Sequence, residues 1–143
     1  MPSLKTLSNR MFVCGQLRLH HLATIKGKGI RTIVNNQPEG ESFDQPRDEE
    51  FRSEARAQGL IYYSLPVPIS GYTEDNVVQM SEIMATAPGP ILAFCRSGTR
   101  SALVWAMAEA RNGGNLTRIE NQLEAAGFRS GAVRIAMRQF APA

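Results

Sequence analysis

At 143 residues, 43% hydrophobic and 20% charged, the chain has an ordinary globular composition and the length of one domain, 1–143, with a real core. No apolar run approaches the roughly 18 residues of a membrane helix, the polar start Met1–Arg10 lacks a signal-peptide core, and two cysteines make no disulfide framework; a cytoplasmic protein with no membrane partner is expected. The net charge of +3 is spread without a basic run or interleaved aromatic residues, which argues against nucleic acid as a partner and suits attraction of a small anionic substrate into an arginine-lined cleft.

Met11-Phe12-Val13 reads as a short first strand. Leu17–Lys28 has Leu19, Leu22, Ala23 and Ile25 on one helical face, and Gly27 and Gly29 end it. The β-branched run Arg31–Asn35 predicts a strand, and Asn36–Pro46, with its Pro, Gly, Asp and Ser, predicts a loop. Arg47–Gln58 is helical and closed by Gly59. Leu60–Leu65 is a strand that Pro66 and Pro68 stop. Thr73 is placed as the N-cap of a helix running through Val77, Met80, Ile83 and Met84, with Glu74 and Asp75 in its first turn. After Pro88-Gly89-Pro90 comes the most apolar strand, Ile91–Phe94, then helices over Ser101–Arg111, Leu116–Ala126 and Ala132–Phe140. Strands alternating with helices predict an α/β domain: a central, mainly parallel sheet of four to five strands with helices on both faces.

Six residues stand apart: Cys95-Arg96-Ser97-Gly98-Thr99-Arg100. A cysteine at a strand end, followed by a small polar turn and a helix start, builds an anion site. Backbone N–H groups at a helix N-terminus lack intrahelical partners, and their field favours thiolate over thiol. Arginines add permanently charged planar forks. In such sheets ligands bind beyond the carboxyl ends of the strands, where Cys95 is expected. Cys95 and Arg100 are therefore the candidate catalytic pair. Arg96, Ser97, Gly98, Thr99 and Ser101 are candidate anion-binding residues, with Gly98 placed for a positive φ or a close backbone approach. Asn36 and Gln37, at the end of their strand, are further candidates for substrate contact, although turn formation suits them as well. Cys14 reads as a packed strand-end residue, or as a resolving thiol for Cys95 if the two strands end at one edge. His20 and His21 have no acidic or thiol neighbours at ligand spacing, so neither a metal nor another cofactor is expected.

These residues carry a family likeness. Over about Leu7–Gly127 the chain resembles the phosphatase-like domain of the beta-lactamase-hydrolase-like family, bacterial proteins similar in fold to dual-specificity protein phosphatases. The likeness rests on Val13-Cys14-Gly15-Gln16, Thr32–Asn36, Pro38-Glu39-Gly40-Glu41, Gln45-Pro46 and above all Ala93–Ser101. One departure is Gln37, where that family usually carries arginine. The resemblance implies a phosphatase. Cys95 would attack phosphorus, Arg100 and the loop N–H groups would hold the oxygens, and Ser101 would assist the leaving thiolate. Domains of this type also occur fused to metallo-hydrolase-like domains.

Two features pull toward a second chemistry. Four residues separate Cys95 from Arg100, where tyrosine phosphatases have five. The Cys-Arg-x-Gly-x-Arg form is similar to the active loop of rhodanese sulfurtransferases, which carry sulfur as a cysteine persulfide. Phosphatases of this fold also take a general acid from the loop after the preceding strand. Here that loop, Pro66–Tyr72, has no carboxylate before Glu74 and Asp75, and both of those suit the helix N-terminus. The substrate is expected to be a phosphoester or, in the alternative, a sulfane-sulfur donor. A non-catalytic anion-binding module is the third reading, and the oligomeric state stays open.

Overall fold

A computed structural model describes residues 1–129 and 131–143. Its five strands are β1 (Lys5–Thr6), β2 (Met11–Cys14), β3 (Thr32–Asn35), β4 (Ile61–Ser64) and β5 (Ile91–Phe94). They lie in the order β1-β2-β5-β3-β4. Four run parallel, and β1 is an antiparallel edge strand against β2. The sheet is therefore mixed: a two-residue strand of Lys and Thr leaves no periodicity to read.

The helices are α1 (His21–Gly27), α2 (Asp48–Gln58), α3 (Glu74–Thr86), α4 (Thr99–Arg111), α5 (Leu116–Ala125) and α6 (Val133–Phe140). They cover both faces, and the strand residues alternate between two cores as the pleat requires. Val13, Val34 and Ala93 pack with Val77, Trp105 and Ile119 on the α3–α6 side. Ile33, Leu92 and Phe94 pack with Leu22, Ile25 and Phe51 on the α1–α2 side. No helix among the described residues is long and apolar enough to cross a membrane.

Local chemistry explains most boundaries. The Thr73 hydroxyl accepts from Asn76 N–H at 3.1 Å, and Asn76 Oδ1 accepts from Thr73 N–H at 2.9 Å, a reciprocal cap that starts α3 where expected. Gly59 closes α2 at φ +72°. Helix α1 begins four residues later than the apolar pattern suggests. Leu17 is buried, but the chain is still turning: His21 Nδ1 accepts from Arg18 N–H at 2.9 Å, and a helix can start only after that turn.

Register brings the site together. Cys14 and Asn35 both pair with Phe94, and Asn35 pairs with Ser64, so four strands end level at one edge. β5 is central, flanked by β2 and β3. Cys95 leaves the sheet at the middle of its carboxyl edge.

Candidate active site

Cys95 is fully buried, and its Sγ accepts a hydrogen bond from Gly98 N–H at 3.1 Å. The turn that makes this possible depends on glycine. Gly98 has φ +89° and caps α4, and a Cβ there would lie 3.3 Å from Cys14 O. The loop is also tied to the end of β2, where Gln16 N–H donates to Arg96 O at 3.1 Å. Helix α4 therefore starts at Thr99, inside the loop and two residues before the position that the sequence indicates, and Arg100 belongs to its first turn.

Arg100 is not an open fork. Its Nη2 donates to Glu41 Oε1 at 2.6 Å, and its Nη1 donates to Glu41 Oε2 and to Val67 O, each at 2.8 Å. Both side chains of the pair are about nine-tenths buried, with exposures of 12% and 10%. The Glu41 hydrogen bonds raise the Arg100 pKa above its ordinary value against the opposing effect of burial, and charge on the neighbouring Cys95 raises it further. The Arg100 hydrogen bond in turn holds Glu41 below the usual carboxylate range, again against burial, with help from Gln37 and Arg96. Glu41 is the functional residue that the sequence reasoning misses. A buried guanidinium needs a carboxylate, but this one lies 59 positions away in sequence. The available signal was its place in the Pro-Glu-Gly-Glu run.

The other candidates divide. Arg96 is exposed and forms no ion pair among the described residues. It borders a polar cavity of about 540 Å³ with Gln16, Glu41, Ser42, Phe43 and Asp44. Ser97 and Thr99 are exposed on the turn, and the Ser97 hydroxyl donates to Thr99 Oγ1 at 3.2 Å. The Ser101 hydroxyl is fully buried and donates to Asn36 Oδ1 at 2.7 Å. Asn36 is also buried, and its Nδ2 donates to Leu65 O at 2.9 Å, so Asn36 holds Ser101 and the strand ends rather than facing the cavity. Gln37 is buried as well. Its backbone N–H donates to Asn35 Oδ1 at 2.9 Å, the turn geometry expected of this segment, and its Nε2 donates to Glu41 at 3.3 Å. Cys14 is 1% exposed, and burial, followed by charge on Cys95, pushes its thiol up to about 12. It is a packed, neutral thiol close to Cys95. Asp75 stands apart from this group: it is exposed in the first turn of α3 and accepts from Gln79 Nε2.

The loop after β4 borders the site without adding a carboxylate. Pro66, Pro68 and Ile69, with Pro38 and Glu41, line a groove of about 440 Å³. Glu41 belongs to both cavities and separates them.

Residues 3–112 match the family model described as "Beta-lactamase hydrolase-like protein, phosphatase-like domain". The chain belongs to this family. Beta-lactamase hydrolase-like proteins of Agrobacterium fabrum and Xylella fastidiosa are each 31% identical over 107 residues, a match that covers 75% of this chain and 25% of theirs. The chain thus spans about a quarter of the length of the curated relatives it matches. A putative phosphatase from Neisseria meningitidis superposes with a TM-score of 0.79 at 26% identity, covering 94% of this chain and 96% of that one. The core catalytic domain of the yeast PP-IP phosphatase SIW14 superposes at 0.70 with 14% identity, covering 97% and 86%, and shares the fold. The expected family and α/β fold, including the likeness to dual-specificity phosphatases, are what these comparisons show.

Proposed function

We propose that this phosphatase-like domain is a cysteine-dependent phosphatase for a small phosphoester. The observation that carries the reading is the placement of Cys95 Sγ against Gly98 N–H, 3.1 Å away, with Arg100 beside it. In the first step Sγ attacks phosphorus, an S–P bond forms, and the P–O bond to the leaving group breaks with its electron pair on oxygen. The loop N–H groups and the α4 N-terminus stabilise the equatorial oxygens. Three hydrogen bonds tie Arg100 to Glu41 and Val67. Two of its five N–H donors are left for the phosphoryl group, in a guanidinium already held in place. Water then attacks phosphorus, the S–P bond breaks, and phosphate leaves with the thiolate restored. Arg96 supplies unneutralised positive charge at the mouth and attracts the anion.

Sulfur transfer is the second reading, and two observations favour it. The turn is one residue shorter than a tyrosine-phosphatase loop, which suits a smaller terminal anion such as a Cys95 persulfide. The carboxylate at the site, Glu41, is held ionised by Arg100 and is poorly suited to protonate an alkoxide, and expelling sulfite or a thiolate needs no such acid. Steady phosphate release from an aryl phosphate, lost in Cys95→Ser, supports the phosphatase. Thiocyanate production from thiosulfate and cyanide without phosphate release would overturn it in favour of sulfur transfer. If neither activity responded to Cys95→Ser, the domain would be an anion-binding module.

A further inference from the structure

We infer that Tyr62, on the edge strand β4, is a positioning residue that sets how Arg100 presents its guanidinium to the anion. This rests on the phosphatase reading above, in which Arg100 holds phosphoryl oxygens. Tyr62 acts at a distance, through a chain of hydrogen bonds. The chain starts at the first residue of α2, Asp48, which accepts from the Tyr62 hydroxyl. A carboxylate only accepts, so the Tyr62 proton points to Asp48, and the oxygen is left to accept from Asn35 Nδ2 at 2.9 Å. That bond fixes the Asn35 amide, whose Oδ1 accepts from Gln37 N–H at 2.9 Å. Gln37 Nε2 donates to Glu41 Oε1 at 3.3 Å, and Glu41 grips Arg100 at 2.6 and 2.8 Å. Asp48 anchors the same loop a second time, its N–H donating to the Glu39 carboxylate at 3.1 and 3.2 Å.

Two features separate this chain from ordinary packing. Gln37 is 4% exposed, and its Oε1 is buried without a partner among the described residues. A buried acceptor left unpaired costs stability, and the amide bears that cost with its N–H turned to Glu41. The Tyr62 ring, in turn, is fixed independently of its hydroxyl. It stacks on Phe51 with 6.5 Å between centroids, and the Arg52 guanidinium lies over it at 5.0 Å. Burial and the Asp48 hydrogen bond push the Tyr62 pKa up, so the hydroxyl keeps its proton and the chain keeps its direction. Arg100 has to satisfy Glu41, Val67 O and the anion together, so a shift of the Glu41 carboxylate moves the guanidinium relative to Cys95.

Binding of inorganic phosphate, measured by calorimetry, tests this without turnover. Tyr62→Phe keeps the ring and removes the hydroxyl. Phosphate affinity should fall about fivefold, the worth of one hydrogen bond in the chain. Tyr63→Phe, whose ring packs on the opposite face of β4, should leave it unchanged. Glu41→Gln removes the charged link, and Gln37→Leu cuts the chain one link earlier. In either background, adding Tyr62→Phe should change affinity less than about twofold, whereas a merely structural tyrosine costs the same in all three proteins. Unchanged affinity in Tyr62→Phe, or the whole loss retained in Glu41→Gln or Gln37→Leu, would overturn the proposal. The reading beneath it fails separately, if Arg100→Lys binds phosphate as tightly as the unaltered protein.

Discussion

The loops after β5 and β4 leave the same edge of the sheet, with only β3 between their strands, yet they carry opposite chemistry. The first packs a thiol, a glycine turn and two arginines into six residues. The second offers prolines, Val67 and Ile69, and its one direct contact with the reacting machinery is a backbone carbonyl on Arg100. On the proposed reading, attack and oxyanion binding are thus equipped, whereas protonation of a leaving group is not. The carboxylate that reaches this region, Glu41, comes from a third loop and is committed to Arg100. If the proposed phosphatase reading holds, this difference restricts the site to leaving groups that need no acid.

Four perturbations break or sharpen this contrast. The largest effect is expected from Arg100→Lys. An ammonium cannot satisfy both Glu41 oxygens and Val67 O in one plane, so kcat/KM for an aryl phosphate should fall about a hundredfold while the melting temperature changes modestly. Glu41→Gln tests the buried pair. Removing one partner leaves the guanidinium underneutralised and should cost roughly 3 kcal/mol at pH 7 by denaturant titration. Glu41 is depressed in the folded state, so its contribution is present above the ordinary carboxylate range and is lost as pH falls through the folded value. The stability gap between the two proteins should therefore narrow in acid, and a gap constant from pH 7 to pH 3 would contradict the pairing. Ile69→Asp adds a carboxylate to the loop that lacks one. It should raise turnover of an alkyl phosphate about tenfold relative to an aryl phosphate, which initial rates on the two substrates would measure. The smallest effect belongs to Ser101→Ala. It leaves Asn36 Oδ1 without its donor and should cost about 1 kcal/mol of stability, with kcat changed less than about threefold.

The Cys95–Arg100 loop is legible because its signals are local. Cysteine, glycine and arginine at fixed spacing after an apolar strand need nothing distant to be understood, and the structure gives Gly98 the positive φ its position called for. The caps at Thr73 and Gly59 were legible for the same reason. What the sequence hid is long-range. Glu41 meets Arg100 only because β3 and β5 are neighbours, and nothing in the Asn36–Pro46 segment distinguishes Glu41 from the exposed Glu39. Of the two roles that suit Asn36 and Gln37, the structure shows the turn, in the Gln37 N–H to Asn35 Oδ1 hydrogen bond. Their side-chain amides bond within the protein, to Ser101, Leu65 and Glu41. The edge strand β1 leaves no signal because two residues carry no period, and α1 is shorter than its apolar pattern because Leu17 and Leu19 pack inward without being helical.

Mass analysis of the acid-quenched protein after brief mixing with an aryl phosphate tests the central claim most directly. The account predicts a phosphoryl group on the peptide that contains Cys95, absent in Cys95→Ser and discharged to free phosphate with time. A Cys95 peptide that stays unphosphorylated and instead gains a single sulfur from thiosulfate would contradict it.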